Sequence, residues 1–258
     1  MRIALGVEYD GSRFNGWQYQ DHSRSVQEAV EKGLSRVANH LVRVHCAGRT
    51  DTGVHATGQV IHFDTDVDRN ERAWVFGTNA NIPKEVSILW AKPVSDEFHA
   101  RFKATRRRYR YVIFNREVRP TFLAYRTSWC YRPLDVEPMQ QAASYLVGQH
   151  DFSSYRAVAC QAKSPVREVF KLTVSRQGQL VFIDIEANAF LHHMVRNIAG
   201  VLMEIGRGER SPEWSKEVLD YRDRTLAGVT APPFGLYLTQ VTYPQEFGIP
   251  ATNNLPYY

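Results

Sequence analysis

Several features that define large classes of proteins are scarce or missing in this sequence. The 258 residues include only three cysteines, Cys46, Cys130 and Cys160, and no two of them have a paired spacing. Neither a disulfide framework nor a zinc knuckle is therefore predicted, and a reduced, cytoplasmic environment is expected. No run approaches the ~18 apolar residues of a membrane span, and no apolar stretch follows the initial methionine. The sequence predicts a soluble, unprocessed protein.

Recognisable cofactor and metal motifs are also missing. No glycine-rich phosphate loop of nucleotide-binding spacing occurs, and no Ser-His-Asp or Cys-His arrangement can be established from sequence. His192 and His193 are adjacent, but neither has a histidine four residues away nor a nearby cysteine pair, and His55 and His62 lie elsewhere. We therefore expect no metal site and no cofactor.

The composition permits a sizeable core and a polyanionic partner. Hydrophobic residues make up 43% of the chain, and 32 Lys and Arg outnumber 27 Asp and Glu, which gives a net charge of +5. An excess of this size is compatible with nucleic-acid binding but does not establish it, because many proteins with a small positive charge bind no nucleic acid.

Strand and helix patterns alternate irregularly and predict an α+β fold. Ser25 and Glu28 form a capping-box pair at the start of one helix, and Ser211-Pro212 is typical of the start of another. Further helices are predicted near 139–147 and over 190–206, and strands over 3–9, 86–90, 102–115, 169–176, 180–187 and 236–243. The connector 93–97 predicts a boundary between domains 1–97 and 98–258, and the segment after Pro244 shows no pattern.

The loop Gly48-Arg49-Thr50-Asp51-Thr52-Gly53-Val54-His55 lies between two strand-like runs and contains both a carboxylate and a guanidinium group. A loop on a rigid scaffold is a frequent place for reactive groups. From the residues alone, Asp51 is more often a turn or capping residue than a catalyst. Arg49 is two residues from Asp51, and a surface ion pair between them is the simplest interpretation.

Six of the ten residues from Arg101 to Arg110 are basic, and aromatic rings alternate with them. In a strand, one face would hold Arg107, Tyr109 and Tyr111 and the other would hold Arg106, Arg108 and Arg110. Two interpretations remain open from the residues: a solvated edge strand that charge protects from aggregation, or an RNA-binding surface of phosphate-contacting arginines and base-stacking rings.

The order Ala-Gly-Arg-Thr-Asp-Thr-Gly-Val-His over 47–55 closely resembles the motif of the tRNA pseudouridine synthase A family. The resemblance continues in order over 3–11, 16–18, 25–28, 98–102, 107–111 and 192–197, and it covers the chain from residue 3 to about Tyr243. It implies two ferredoxin-like, or RRM-like, halves joined into one extended, mostly antiparallel sheet, with helices on one side and a central cleft. It also implies a homodimer that converts uridine to pseudouridine at positions thirty-eight, thirty-nine and forty of the tRNA anticodon arm.

The resemblance also implies roles for individual residues. Asp51 matches the family's nucleophile, Tyr109 matches a tyrosine that stacks on the target base, and Arg49 would help to hold the flipped nucleotide. Arg107, Arg108 and Arg110 would contact the RNA together with these. Burial disfavours a charged carboxylate and a neighbouring guanidinium favours it. Our hypothesis is that Arg196, predicted at the edge of a buried helix face, is the cation that keeps Asp51 charged.

Two other functions are compatible with some of the same residues. A non-catalytic RNA-binding protein could present the same basic and aromatic surface, although binding alone gains little from a carboxylate that faces a polyanion. A nuclease or glycosidase could use a second acid such as Asp64 or Asp66, but these read more simply as the polar end of a strand. The sequence leaves open whether Asp51 would attack the ribose, add to the uracil ring or abstract a sugar proton.

Overall fold

The computed structural model describes residues 1–251 and 255–256. Strands and helices alternate irregularly, so the predicted α+β class is confirmed. In chain order they are β1 (Arg2–Tyr9), α1 (Val26–Ala38), β2 (His45–Cys46), β3 (His55–Asp64), β4 (Val86–Val94), β5 (Arg106–Asn115), β6 (Ser128–Cys130), α2 (Val136–Ser144), β7 (Gly148–Asp151), β8 (Val166–Gln177), β9 (Leu180–Ala187), α3 (Met194–Gly206), α4 (Trp214–Tyr221) and β10 (Leu236–Thr242).

The chain divides into two compact units. The first comprises Met1–Arg107 and Tyr237–Tyr258, and the second comprises Arg108–Leu236. This division differs from the expected domains 1–97 and 98–258 in two respects: the chain leaves the first unit ten residues later, within β5, and it returns there at the start of β10. Periodicity could not show the return, because β10 reads like any other strand and its partner is distant in sequence.

The first unit is a sheet with one well-specified helix. Its strands lie in the order β4-β1-β3-β10, and the short β2 pairs with β3. β1 is antiparallel to both β3 and β4, whereas β10 is parallel to β3. The N-cap Ser25 accepts a hydrogen bond from the Glu28 amide at 3.2 Å, as the capping-box pattern predicts. One stripe of α1 is buried and comprises Val26, Val30, Leu34 and Ala38.

The second unit combines another sheet with three helices. Its strands lie in the order β5-β9-β8-β7, and β6 pairs in parallel with β5. β8 and β9 form the predicted antiparallel hairpin, in which Gln177 pairs with Leu180. α3 is buried along most of its length, and α2 packs against both α3 and β8. These helices therefore cover the apolar face of the sheet.

Several predicted boundaries shift in the structure. α2 spans Val136–Ser144 rather than 139–147, and β4 continues to Val94 rather than ending at 90. β5 begins at Arg106 rather than at 102, because the preceding residues form a turn instead of extending the strand. α3 begins at Met194 rather than at 190, and His193 before it adopts a left-handed conformation with φ 62°. α4 begins at Trp214 after the N-cap Glu213, whereas Ser211 and Pro212 form the preceding turn.

The segment after Pro244 is more ordered than its sequence suggests. Phe247 is buried and makes an edge contact with the ring of Phe98 at a centroid distance of 5.3 Å. Lys92 Nζ donates a hydrogen bond to the Gly248 carbonyl at 2.6 Å. Asn253 and Asn254 of the same segment lie outside the described residues. Within the described part of the chain, every helix is too short or too polar to cross a lipid bilayer.

Candidate active site

The loop from Gly48 to Val54, here called the Asp51 loop, connects β2 to β3 and is tied to both flanking strands of the first unit. The Gln59 amide group bridges the loop entrance, because Nε2 donates to the Gly48 carbonyl at 2.6 Å and Oε1 accepts from the Gly48 amide at 3.3 Å. The buried Thr50 hydroxyl lies 2.8 Å from the Tyr9 hydroxyl of β1. These bonds fix the residues immediately before Asp51.

The segment around Gly16 supports the loop from a third direction. The Trp17 amide donates to the Thr50 carbonyl at 3.0 Å. Gly16 has φ 83°, and a Cβ added there would lie 2.5 Å from the Thr50 carbonyl oxygen. Glycine is therefore required at position 16 both by backbone conformation and by space. The loop closes as the Val54 amide donates to the Asp51 carbonyl at 3.1 Å, with Gly53 at φ 79°.

The anchored backbone leaves the two charged side chains of the loop accessible. Asp51 is partly exposed and Arg49 is exposed. No hydrogen bond or ion pair joins Arg49 to Asp51, or to any other residue of the described ranges, so the simple surface ion pair does not form. A rigid loop with an accessible carboxylate and an accessible guanidinium group matches a binding or catalytic loop better than a structural turn.

Asp10 and His55 form a polar pair at the end of the loop that sequence reasoning did not assign. The buried His55 ring stacks on Tyr237 at 4.6 Å, and its Nδ1 lies 3.1 Å from the Gly11 amide and 3.2 Å from an Asp10 carboxylate oxygen. A protonated Nδ1 donates to Asp10, and an unprotonated one accepts from Gly11. The hydrogen bond from His55 holds the pKa of Asp10 well below its usual range, against the effect of burial. The only sequence signal for this pair was that both residues lie in motifs of the family.

In the second unit, Tyr109 and Tyr111 lie on the same face of β5. Tyr109 is buried, and its ring meets Phe190 edge-on at a centroid distance of 4.9 Å and an angle of 82°. The buried Tyr111 hydroxyl donates to the Pro232 carbonyl at 2.8 Å and lies 2.5 Å from the Ser128 hydroxyl. Burial raises the pKa of Tyr111, while the Ser128 hydrogen bond and the Arg196 charge lower it. Tyr111 and Arg196 thus donate to the neighbouring carbonyls of Pro232 and Ala231.

Arg196 lies in the first turn of α3, at the border of the buried face as predicted. Its Nε donates to the Ala231 carbonyl at 2.8 Å, and its own carbonyl accepts from the Ala231 amide at 3.1 Å. The N-terminal end of a helix has a partial positive charge, so a guanidinium group there adds to an already positive potential. The His193 side chain makes no capping bond to the helix. The electrostatic potential at this end of the helix is therefore positive.

The guanidinium groups of β5 are bound mainly by acceptors of the protein itself. Arg107 donates to the carbonyls of Ala47, Ala104 and Arg101 at 3.2, 3.3 and 2.7 Å. Arg110 makes a bidentate pair with Asp184 at 2.9 and 2.7 Å, and Arg108 lies 3.6 Å from the same carboxylate. From Tyr109 onward the strand is largely buried, so the solvated edge strand is wrong for that part.

Neither Asp64 nor Asp66, the two acids considered for a hydrolase, lies beside Asp51. β3 is ten residues long, so at roughly 3.3 Å per residue Asp64 lies about 30 Å from the end that joins the loop. Asp64 also forms a bidentate pair with Arg2 at 2.8 and 3.0 Å, which lowers the pKa of the carboxyl group. Asp66 follows on the same far end and is exposed. Neither acid can act with Asp51 on one bond.

Together these features define the class of protein: an α+β enzyme that presents a carboxylate on a rigid loop. A family model described as tRNA pseudouridine synthase matches residues 6–103 and 142–244. A protein from Vibrio cholerae named tRNA pseudouridine synthase A is 59% identical to this chain, and the match covers 97% of this chain and 95% of the relative. A protein of the same name from Alcanivorax borkumensis is 57% identical, over 96% of this chain and 94% of the relative. One from Coxiella burnetii is 54% identical over 100% of this chain and 98% of the relative. The chain belongs to the tRNA pseudouridine synthase family.

Among solved structures, a chain in a crystal structure of a Cbf5-Nop10-Gar1 complex matches 91% of this chain and 57% of its own length, with 10% identity and a TM-score of 0.35. That score is too low to support a structural argument. The sequence matches extend over the residues on which the initial resemblance was based, and that family prediction is confirmed.

Proposed function

We propose that this protein isomerises uridine to pseudouridine in the anticodon arm of tRNA, at positions thirty-eight, thirty-nine and forty, with Asp51 as the nucleophile. The observation that carries the proposal is the Asp51 loop, in which β1, β3 and the Gly16 segment hold the backbone while the carboxylate stays partly exposed. Membership of the family supplies the reaction, and the anchored loop supplies a group that can perform it.

The reaction breaks the N-glycosidic bond of uridine, turns the uracil and rejoins it through carbon. Substrate and product are isomers, so the reaction itself needs neither a redox partner nor an energy source. The reaction does need a positioned carboxylate and a surface that retains the detached uracil. It also needs contacts that hold the target nucleotide outside the base stack of the RNA helix. A partly exposed Asp51 on a rigid backbone meets the first requirement, because a flipped nucleotide can reach it without rearrangement of the loop.

Tyr109 is proposed to retain the uracil by stacking, which is worth roughly 1–3 kcal/mol per base. The edge contact with Phe190 supports this role, because it fixes the plane of the tyrosine ring before the substrate binds. A fixed ring loses less conformational freedom on binding than a mobile one.

The arginines are proposed to have three different roles. Arg49 is exposed, and its planar donor fork suits an RNA phosphate. Arg196 is proposed to keep the reactive carboxylate charged, and its place at the positive end of α3 supports that role. Arg107, Arg108 and Arg110 have internal acceptors, so their proposed contribution to RNA binding is the positive potential that they add.

Two further properties are proposed from the family resemblance. The enzyme acts as a homodimer in which one tRNA contacts both subunits, and it works in the cytoplasm. Light scattering of the purified protein, with and without tRNA, tests the first of these.

The reaction is tested by incubating the protein with unmodified tRNA transcripts and mapping pseudouridine chemically, with Asp51→Ala at equal RNA occupancy as the control. We expect modification in the anticodon arm by the parent, none by the variant, and RNA of unchanged length in both. Shortened RNA or released base would instead indicate a hydrolase. Binding without modification by the parent would indicate an RNA-binding protein without catalysis.

A further inference from the structure

Phe102 is an exposed aromatic residue of the first unit. It belongs to the basic and aromatic segment 101–110, but the roles proposed above concern only Tyr109 and arginines of that segment. Its side chain is 74% exposed, although the sequence predicts it inside a strand. It lies in the turn that precedes β5, between Phe98, which is fully buried, and Thr105. Single exposed apolar residues are common at protein surfaces, so the significance of Phe102 depends on how its segment is held and on what surrounds its ring.

The turn that presents Phe102 is held by hydrogen bonds at its beginning. The Ala100 amide donates to His62 Nδ1 at 3.1 Å, and the Ala100 carbonyl accepts from the Tyr243 hydroxyl at 2.6 Å. Next to it, the Arg101 amide donates to His99 Nδ1 at 3.1 Å. The buried side chains of His62 and Tyr243, together with the His99 ring, therefore fix the start of the turn.

The end of the same turn is held equally well. The Arg101 carbonyl accepts from the Arg107 guanidinium at 2.7 Å, and the Lys103 amide donates to the His99 carbonyl at 3.0 Å. The Thr105 amide donates to the Thr242 carbonyl of β10 at 2.8 Å. The exposure of Phe102 is thus imposed by an anchored backbone and is not the result of a loose loop.

The Phe102 ring continues a group of histidine rings. It lies 4.3 Å from the His99 ring at an angle of 35°, and His99 lies 4.6 Å from His62 and 5.3 Å from His45. Burial lowers the pKa of His62 to about 3 and also lowers that of His99, so both rings are neutral near pH 7. Neutral rings at these distances form one aromatic surface without mutual repulsion.

Positive charge borders this surface and connects it to the Asp51 loop. The exposed Arg101 has its guanidinium carbon 5.6 Å from the centre of the Phe102 ring. The Arg107 guanidinium group donates both to the Arg101 carbonyl at 2.7 Å and to the Ala47 carbonyl at 3.2 Å. Ala47 directly precedes the Asp51 loop, so the aromatic surface is a neighbour of the residues that enter this loop.

We propose that Phe102, His99 and Arg101, here called the Phe102 platform, form a subsite on which an unpaired nucleotide of the RNA stacks beside the modified one. The occupant is a nucleotide because a planar ring bordered by guanidinium groups complements a base and its phosphate. The inference rests on the proposed function for the identity of the RNA.

The test is equilibrium binding of an unmodified tRNA transcript to the full-length protein, measured by fluorescence anisotropy. All proteins include Asp51→Ala, so that bound RNA is not converted and binding is read independently of turnover. Phe102→Ala is expected to weaken binding roughly 5- to 100-fold, the loss that one base stack predicts, and Phe102→Tyr is expected to restore binding to within about twofold. The platform ring is exposed, so the unfolding midpoint should stay the same.

A matched control is available in the same unit. Phe76 is 58% exposed, and the Arg72 guanidinium carbon lies 4.6 Å from its ring centre, but no histidine ring packs against it. Phe76→Ala should change tRNA binding less than twofold. Ultraviolet crosslinking of bound tRNA, followed by mass spectrometry, should identify a nucleotide adduct at Phe102.

Each other outcome is decisive. Unchanged binding by Phe102→Ala, or equal losses for Phe102→Ala and Phe76→Ala, would overturn the subsite. A smaller mass of Phe102→Ala in light scattering, with unchanged RNA affinity, would make the platform a contact between copies of the chain. If the parent forms no pseudouridine but binding still depends on Phe102, the proposed reaction fails and the stacking subsite stands.

Discussion

The Asp51 loop and the start of β5 are both rich in arginine and both resemble RNA-contacting motifs, yet the structure uses their side chains differently. In the loop, main-chain groups and the Thr50 hydroxyl make the anchoring bonds, and Arg49 stays exposed. In β5, the guanidinium groups themselves make the anchoring bonds, to three carbonyls from Arg107 and to Asp184 from Arg110.

The difference between the two regions depends on the supply of acceptors. A buried or half-buried guanidinium group must find oxygen partners, because leaving its donors unpaired costs several kcal/mol. Arg107 meets three carbonyls in the first unit, and Arg110 meets a carboxylate in the second. The Asp51 loop stays at the surface, where the Arg49 side chain is exposed to water. Charge in a sequence therefore indicates RNA contact only where the local backbone leaves that charge accessible.

The sharpest test of the comparison concerns two acids of the first unit. Asp51→Asn should lower kcat for pseudouridine formation at least about 1000-fold, because an amide is no longer a nucleophile, with little change in the free energy of unfolding. Asp64→Asn should keep kcat within about threefold and lower stability, because the bidentate pair with Arg2 is lost. Single-turnover kinetics and urea unfolding measure both. An active Asp51→Asn would end the assignment of the nucleophile.

Arg110 is the next residue to examine, since the sequence suggested RNA contact and the structure shows a pair with Asp184. The side chains are 15% and 10% exposed. Arg110→Ala should lower the free energy of unfolding by about 2–4 kcal/mol, somewhat below the cost of breaking a fully buried pair, because Asp184 loses its bidentate partner. Denaturant unfolding measures this, and Arg110→Ala with Asp184→Ala should recover part of the loss. If the free energy of unfolding is unchanged and only tRNA affinity falls, Arg110 contacts the RNA, as is proposed for Arg49.

Arg49 and Arg107 provide a matched pair of arginines, one from each region. Arg49→Ala should weaken tRNA binding by about 3- to 10-fold, reduce the dependence of binding on salt by about one phosphate contact, and leave unfolding unaffected. Arg107→Ala should instead lower stability by about 1–3 kcal/mol, because three carbonyls lose their donor. Binding isotherms at several salt concentrations and unfolding curves separate the two effects. Identical behaviour of the two variants would remove the distinction between the regions.

Much of the fold follows from local pattern, and the exceptions have physical causes. The capping box of α1 and the β8–β9 hairpin are set by neighbouring residues, and both occur as predicted. Phe102 is the first residue of the strand predicted over 102–115, but hydrogen bonds from Arg107 and from the distant Tyr243 hold its segment as a turn. At this turn, contacts between residues far apart in sequence outweigh local strand propensity. The same kind of contact places β10 beside β3 in the first unit.

The candidate site was also predictable only in part, because a local sequence pattern does not show contacts between distant residues. Asp51 and Arg49 could be selected because their motif resembles that of a known family, whereas the residues alone favoured a turn residue and a surface ion pair. The supporting partners Tyr9, Gln59 and Gly16 could not, because each lies on another element and only the folded chain brings it to the loop. The roles of Asp51, Tyr109 and Arg196 in catalysis stay predictions until the variants are measured.

The hydrogen bond between Thr50 and Tyr9 allows the anchoring of the loop to be tested separately from its chemistry. Thr50→Val keeps the shape of the side chain but removes the partner 2.8 Å from the buried Tyr9 hydroxyl. Stability should fall by about 1–2 kcal/mol, and kcat should fall several-fold while tRNA affinity is retained. Thr50→Ser, which keeps the hydroxyl, is the control for kinetics and unfolding. A Thr50→Val enzyme with full kcat would show that the loop needs no anchor from β1.

The smallest effect expected concerns His62, whose ring lies in β3 between the two regions in sequence. Burial, His99, Arg2 and His45 lower its pKa to about 3, and Asp64 opposes them. An unfolded histidine titrates near 6.5, so between about pH 6.5 and 3 the unfolded state binds more protons and stability falls as the pH falls. From pH 8 to pH 6 the parent should lose roughly 1 kcal/mol through this group. His62→Gln, whose amide oxygen can still accept the Ala100 amide, should lose correspondingly less in urea unfolding at the two pH values. An equal pH dependence in both proteins would mean that the imidazole is not held neutral by its surroundings.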